Sequence, residues 1–143
     1  MTIKHNIEIS GSPEKLFDLS QDYEKRLEWD PFPESYKFLN GNQVKEGLLL
    51  RVTDKAGRKM DVEYISFKRP TVAAVKMIDG PWYIKDFAGS WSFRQAEEGK
   101  TETIFSYNIR AYPSILNFIV QRVFSIKIKQ RLNSLKNYAE KAI

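Results

Sequence analysis

The chain has 143 residues, a formal net charge of +5 and no cysteine; at this length one domain is the default, burying roughly 70% of the surface its unfolded chain exposes. The missing cysteine excludes disulfide frameworks, thiolate metal sites and thiol nucleophiles, and fits a cytoplasmic setting. No stretch of about eighteen apolar residues occurs and no long apolar run precedes Gly11, so neither a membrane span nor a secretory leader is expected.

In chain order, Ile3, His5, Ile7 and Ile9 alternate with Lys4, Asn6, Glu8 and Ser10, the pattern of a half-buried strand. Gly11 breaks it. Ser12 then caps a short helix with Pro13 in its first position, and Ser20 or Asp22 restarts a second one that ends at Trp29-Asp30-Pro31, because a residue before proline avoids helical geometry. Tyr36 to Leu39 is extended up to the turn Asn40-Gly41-Asn42, and Leu48 to Thr53 forms the next strand, closed by Lys55-Ala56-Gly57-Arg58. Met60, Val62 and Tyr64 share one strand face, whereas Ile65 and Phe67 switch phase, which predicts a bulge or a strand covered on both sides. Thr71 to Ile78 is again extended. After Asp79-Gly80-Pro81, Trp82 to Gln95 is the longest strand, with Tyr83, Phe87, Trp91 and Phe93 in one phase, and Thr101 to Tyr112 returns with Thr103, Phe105, Tyr107 and Ile109 in phase.

Pro113 to Ile143 contains no further Pro or Gly and predicts one long helix. It carries two apolar stripes: Leu116, Ile119, Val120 and Val123, then Phe124, Ile128, Leu132, Leu135 and Ala139, the second centred roughly 100° around the helix from the first. The first half therefore roofs a space and the second anchors on the sheet, with Lys127 at the transition. From Arg122 onward six basic residues face Glu140 alone and account for the whole net charge; a solvated face matched to the helix dipole is the plain reading. Short turns between successive strands make an antiparallel meander, and the last helix alone is long enough to cover it. The fold class is thus α+β: a curved sheet of about six to seven strands wrapped around the C-terminal helix, two short helices after the first strand, and a single domain over residues 1–143.

Asp22-Tyr23-Glu24-Lys25-Arg26-Leu27-Glu28-Trp29-Asp30-Pro31, Gly80-Pro81-Trp82, Phe87-Ala88-Gly89-Ser90-Trp91-Ser92-Phe93 and Gly99-Lys100-Thr101-Glu102, in this order and with this element pattern, resemble the polyketide cyclase/dehydrase branch of the START-like (Bet v 1-like, SRPBCC) superfamily. The resemblance spans nearly the whole chain. It implies a helix-grip fold with a deep hydrophobic cavity between sheet and helix, but not a reaction, since that superfamily includes lipid carriers, hormone receptors, cyclases and chaperone regulators.

Catalytic resources are few. His5 is the single histidine and sits in an apolar strand phase, as a structural histidine would; carboxylates are nowhere clustered at metal-ligand spacing, and no glycine-rich phosphate cradle occurs. Asp86 and Arg94 are the weak catalytic candidates. They lie on the polar phase of the aromatic strand, where solvent exposure is the expectation and a cavity position the alternative. The expected ligand-binding set is Trp29, Phe32, Tyr64, Phe87, Trp91, Phe105, Tyr107, Leu116, Val120, Val123 and Lys127, with Trp29 and Phe32 shutting the cavity mouth and Lys127 either snorkelling or pairing with an anionic ligand group. Binding of a hydrophobic small molecule or lipid, without a cofactor, metal or nucleic acid, is the leading expectation. A cyclase or dehydratase is the alternative, and a membrane-surface or chaperone-regulator protein that touches anionic membranes through its basic helix end is the third.

Overall fold

Apolar–polar alternation punctuated by hairpin turns builds one sheet. In the computed structural model, which describes residues 1–141, the strands are β1 (Thr2–Ser10), β2 (Pro33–Phe38), β3 (Leu49–Asp54), β4 (Lys59–Lys68), β5 (Val72–Asp79), β6 (Ile84–Gln95) and β7 (Lys100–Ala111). They pair antiparallel throughout, in the order β1-β7-β6-β5-β4-β3-β2. Strands β2 to β7 form the expected meander, and β1 adds to its far edge beside β7. The helices α1 (Pro13–Gln21) and α2 (Tyr23–Trp29) therefore carry the chain from one edge of the sheet to the other. Ser12 caps α1 by accepting from Lys15 N, and Asp22 caps α2 by accepting from Glu24 and Lys25 N, so a single residue separates two helices of different direction. The phase switch in β4 is a bulge: register shifts between Tyr64 and Ser66, turning Ile65 outward while Phe67 packs on Phe17 and Tyr64.

Two boundaries differ from expectation. Trp82 does not begin β6 but stands in the turn before it, 80% exposed, because Pro81 and the bond from Ile84 N to Pro81 O close a turn there. The long helix α3 (Leu116–Lys141) starts three residues after Pro113; the carbonyls of Pro113 and Ser114 accept from Leu116 and Asn117 N, and the Asn117 side chain accepts from Ala111 N at 2.8 Å, tying the helix entry to the end of β7. Residues 142 and 143, which the sequence assigns to the helix, lie outside the described residues.

The second half of α3 packs across β1 and β7. Ile128, Leu132, Leu135 and Ala139 are its buried stripe, meeting Ile3, Ile9, Leu16 and Phe17 in the core. Polar contacts hold the helix to β1: His5 Nε2 lies 2.8 Å from Ser125 Oγ, Lys136 Nζ donates to Glu8 O, and Ser10 N donates to Glu140 Oε2.

Candidate functional site

The first half of α3 contributes no fully buried residue before Ile128, so the inner face of β3 to β6 opposite it is left unfilled. The result is a cavity of about 520 Å³ between sheet and helix, walled by apolar side chains including Leu50, Val62, Val75, Phe87, Val120 and Phe124, and within the range of about 300–1,000 Å³ usual for small-molecule sites. It opens where Ile119 and Val123, 57% and 42% exposed, and Arg58 and Tyr83 meet. It closes at Gln21, Tyr23, Arg26 and Tyr64, supplied by the helical crossover and β4. Gly89 contributes to the wall by having no side chain: a Cβ there would sit 3.2 Å from the Tyr107 ring, so glycine lets Tyr107 lie flat against β6.

The closed end holds a polar cluster in an apolar setting. Arg26 and Asp30, 8% and 4% exposed, lie four residues apart across the end of α2, with Arg26 Nε donating to Asp30 Oδ2 at 3.0 Å. Arg131 reaches the same oxygen from α3, its Nε 3.1 Å away but off the hydrogen-bond axis. Asp30 Oδ1 accepts from Phe32 N. One carboxylate thus serves two guanidiniums. Burial alone raises a carboxyl pKa; here the Arg131 and Arg26 charges outweigh it and hold Asp30 below its ordinary value. Tyr64 Oη donates to Gln21 Oε1 at 2.6 Å and pairs closely with the Tyr23 hydroxyl, while Tyr107 Oη accepts from Arg131 Nη1. Burial pushes the phenols of Tyr23, Tyr36 and Tyr64 up, so all three are neutral hydroxyls at physiological pH. Aromatic rings surround both cations: Arg26 lies 5.6 to 5.9 Å from the centroids of Tyr23, Trp29, Tyr36 and Trp91, and Arg131 lies 5.3 Å from those of Phe32 and Phe105.

Of the residues the sequence singles out, Tyr64, Phe87, Trp91, Phe105, Tyr107, Val120, Val123 and Lys127 stand on the cavity wall. Trp29, Phe32 and Leu116 stand off it. Trp29 does not shut the mouth from a loop: it ends α2, is buried, and packs edge-on to Trp91, while Phe32 presents its ring to Lys127 and Arg131. Asp86 and Arg94 are on the outer sheet face, paired with Arg110 and Glu102. Lys127 Nζ lies over the rings of Phe32 and Phe124 at 5.4 and 5.2 Å; burial, then Arg58 and Arg131, lower its pKa. Nor is Lys127 the transition between two halves of the helix. The cavity-facing line continues through Phe124 and Lys127 to Arg131, beside the buried stripe, so the helix divides by face as well as by length. Arg26, Asp30, Tyr23, Tyr36 and Arg131 were not anticipated. The available signals were the four-residue step from Lys127 to Arg131 and the Arg26–Asp30 pair at the same spacing.

An antiparallel sheet gripping a terminal helix over an apolar cavity defines a helix-grip protein of the START-like class, a fold that binds hydrophobic ligands. The chain belongs to the family of polyketide cyclase / dehydrase and lipid transport proteins, whose model matches residues 1–140. Similar solved structures include the Zhui aromatase/cyclase of a Streptomyces species (TM-score 0.84, 12% identity, 99% of this chain and 94% of that one) and a START superfamily protein from Mycobacterium smegmatis (TM-score 0.84, 12% identity, 99% of both chains). Norcoclaurine synthase from Thalictrum flavum, a point mutant bound to a transition-state analogue, is similar at TM-score 0.78 with 11% identity over 99% of this chain and 95% of that one. At these identities the likeness is one of fold. Comparison with curated proteins gives no match. Among the described residues no helix is long and apolar enough to cross a membrane, and no group of three His, Cys, Asp or Glu side chains is placed to hold a metal ion.

Proposed function

We propose that this chain binds a hydrophobic small molecule or lipid in the cavity beneath α3, as a carrier or receptor rather than as a catalyst. The observation that carries the reading is the cavity itself, about 520 Å³ and walled mainly by apolar side chains. The hydroxyls of Tyr23, Tyr36 and Tyr64 are neutral. The two carboxylates at the cavity are both engaged, Asp30 with two guanidiniums and Asp54 on the wall with Arg58 and the Ala56 amide, so among the described residues no carboxylate stands free as a base for a ligand. Affinity then comes from apolar burial, about 25 cal/mol per Å² before ordering costs. Native mass spectrometry of protein purified from its own host, followed by organic extraction, tests this: an apolar compound released in a one-to-one complex supports it, and protein that is empty and takes up no apolar probe refutes it.

The Tyr23–Tyr64 hydroxyl pair beside Arg26 supports a second reading, a cyclase or dehydratase in which these donors stabilise an enolate as a reactive chain folds; the aromatase/cyclase and norcoclaurine synthase folds lend it context. Turnover of a poly-β-ketone substrate, lost in Tyr64→Phe, would establish it over simple binding. The ligand's route in is suggested by the exposed Trp82, Ile115, Phe118 and Ile119 near the open end. The bond from Tyr112 N to Tyr83 O brings the β5–β6 turn against the helix entry, and Arg122 lies over the Phe118 ring. Such an apolar patch with a basic residue suits transient contact with an anionic membrane, at the start of α3 rather than at its basic end.

A further inference from the structure

Resting on the binding reading above, we infer that the ligand is an amphipathic monoanion, a carboxylate on an apolar body, whose head docks at the closed end against Arg26, Arg131 and Tyr36. Charge and hydrogen-bond accounting lead there. Arg26 and Arg131 both form part of the cavity wall, whereas Asp30 does not. The carboxylate neutralises one of the two cations and stands behind them, so the closed end carries one uncompensated positive charge towards a ligand, while Asp54, Arg58, Lys59 and Lys127 lie elsewhere on the wall.

Donors remain as well. Arg26 uses Nε on Asp30 and Nη1 on Ser20 O, and Arg131 uses Nη1 on Tyr107 Oη. Neither Nη2 has a hydrogen-bond partner among the described residues, and neither does the hydroxyl of Tyr36, which also lines the cavity. Two guanidinium N–H edges and a phenol, all neutral or cationic donors in an apolar enclosure, match a planar acceptor bearing a single negative charge. A dianionic phosphate would leave a net negative charge buried there, and an uncharged head would leave the cation unpaired. Lys127, four residues nearer the helix start, lies over two aromatic rings and has Arg58 for a neighbour rather than the tyrosine donors, so the head is assigned to the guanidinium pair and not to the lysine.

The test is calorimetric titration with matched pairs at pH 8: octanoate, dodecanoate and 2-naphthoate, each against its methyl ester. At least one acid should bind ten- to a hundredfold more tightly than its ester. In Arg131→Met, which leaves Arg26 and Asp30 as a neutral pair, that ratio should fall towards one; in Tyr36→Phe it should fall severalfold. Folding of both variants is checked by circular dichroism, and Tyr36→Phe carries the test should Arg131→Met fail to fold. Acid and ester binding alike would overturn the headgroup assignment while leaving the cavity reading intact. Binding of neither overturns both. Loss of the preference in Lys127→Met with retention in Arg131→Met would move the head to the lysine and overturn the assignment to the guanidinium pair.

Discussion

Asp30 is the residue on which the closed end depends. Two guanidiniums share its Oδ2, and a buried ion pair contributes little net stability when intact but costs heavily when one partner is lost. Asp30→Ala should therefore destabilise the fold by about 3–5 kcal/mol, read as a shift of the urea midpoint at unchanged slope. His5 offers a quieter test, being the single histidine and so a single imidazole resonance. Burial, then Lys129, lowers its pKa from the ordinary 6.5, which means that folding favours the neutral ring. Its contribution to stability is then present above 6.5 and is lost as the pH falls from 6.5 through the lower folded value. An NMR titration should place the midpoint below that of a free histidine; a midpoint at or above it would mean that the contact with Ser125 favours the imidazolium.

At the scale of elements, α3 does two jobs with two faces. Leu132 belongs to the stripe packed on the sheet, whereas Val123 looks into the cavity near its mouth. Leu132→Ala should cost about 2–5 kcal/mol of stability through a cavity that the rigid sheet cannot collapse to fill. Val123→Ala should leave the unfolding midpoint within about 0.5 kcal/mol of the parent yet weaken ligand binding by up to about tenfold, since what it loses is apolar contact with the ligand. Equal stability losses in both variants would show that the helix has one packed face. Strand faces, hairpin turns, the β4 bulge and the buried stripe of α3 from Ile128 onward were legible in the sequence, because each depends on local periodicity or on a turn residue; Phe124, read as the start of that stripe, lines the cavity instead. The polar cluster was not. Arg131 reads locally as one more cation in a basic helix end, and its burial follows only when Asp30, about a hundred residues earlier, and the rings of Phe32 and Phe105 are brought to it by the crossover and the sheet. The mouth residues erred similarly: Trp29 beside a proline looks like a loop aromatic until α2 packs it on Trp91.

For the whole molecule, an unfilled interior is a stability debt that a ligand settles by mass action. A compound present at a hundred times its Kd adds about 2.7 kcal/mol to the folded state, which for a domain of this size raises Tm by roughly 10 °C. The same space can be closed by mutation. Val75→Trp on the sheet wall combined with Val120→Phe on the helix wall places apolar bulk where the structure has room, so the unliganded double variant should melt at or above the parent temperature. Its ligand-induced shift should drop to less than half, because the compound and the new side chains compete for one volume. A variant that melts like the parent and keeps the full shift would locate binding outside the cavity, with the exposed residues around Trp82 and Phe118 the next surface to probe. A variant that melts far below the parent would instead show that the walls are less yielding than the empty volume implies, as overpacked cores are. The two observables, bare Tm and ligand shift, therefore separate a cavity kept open for a ligand from one that is merely poorly packed.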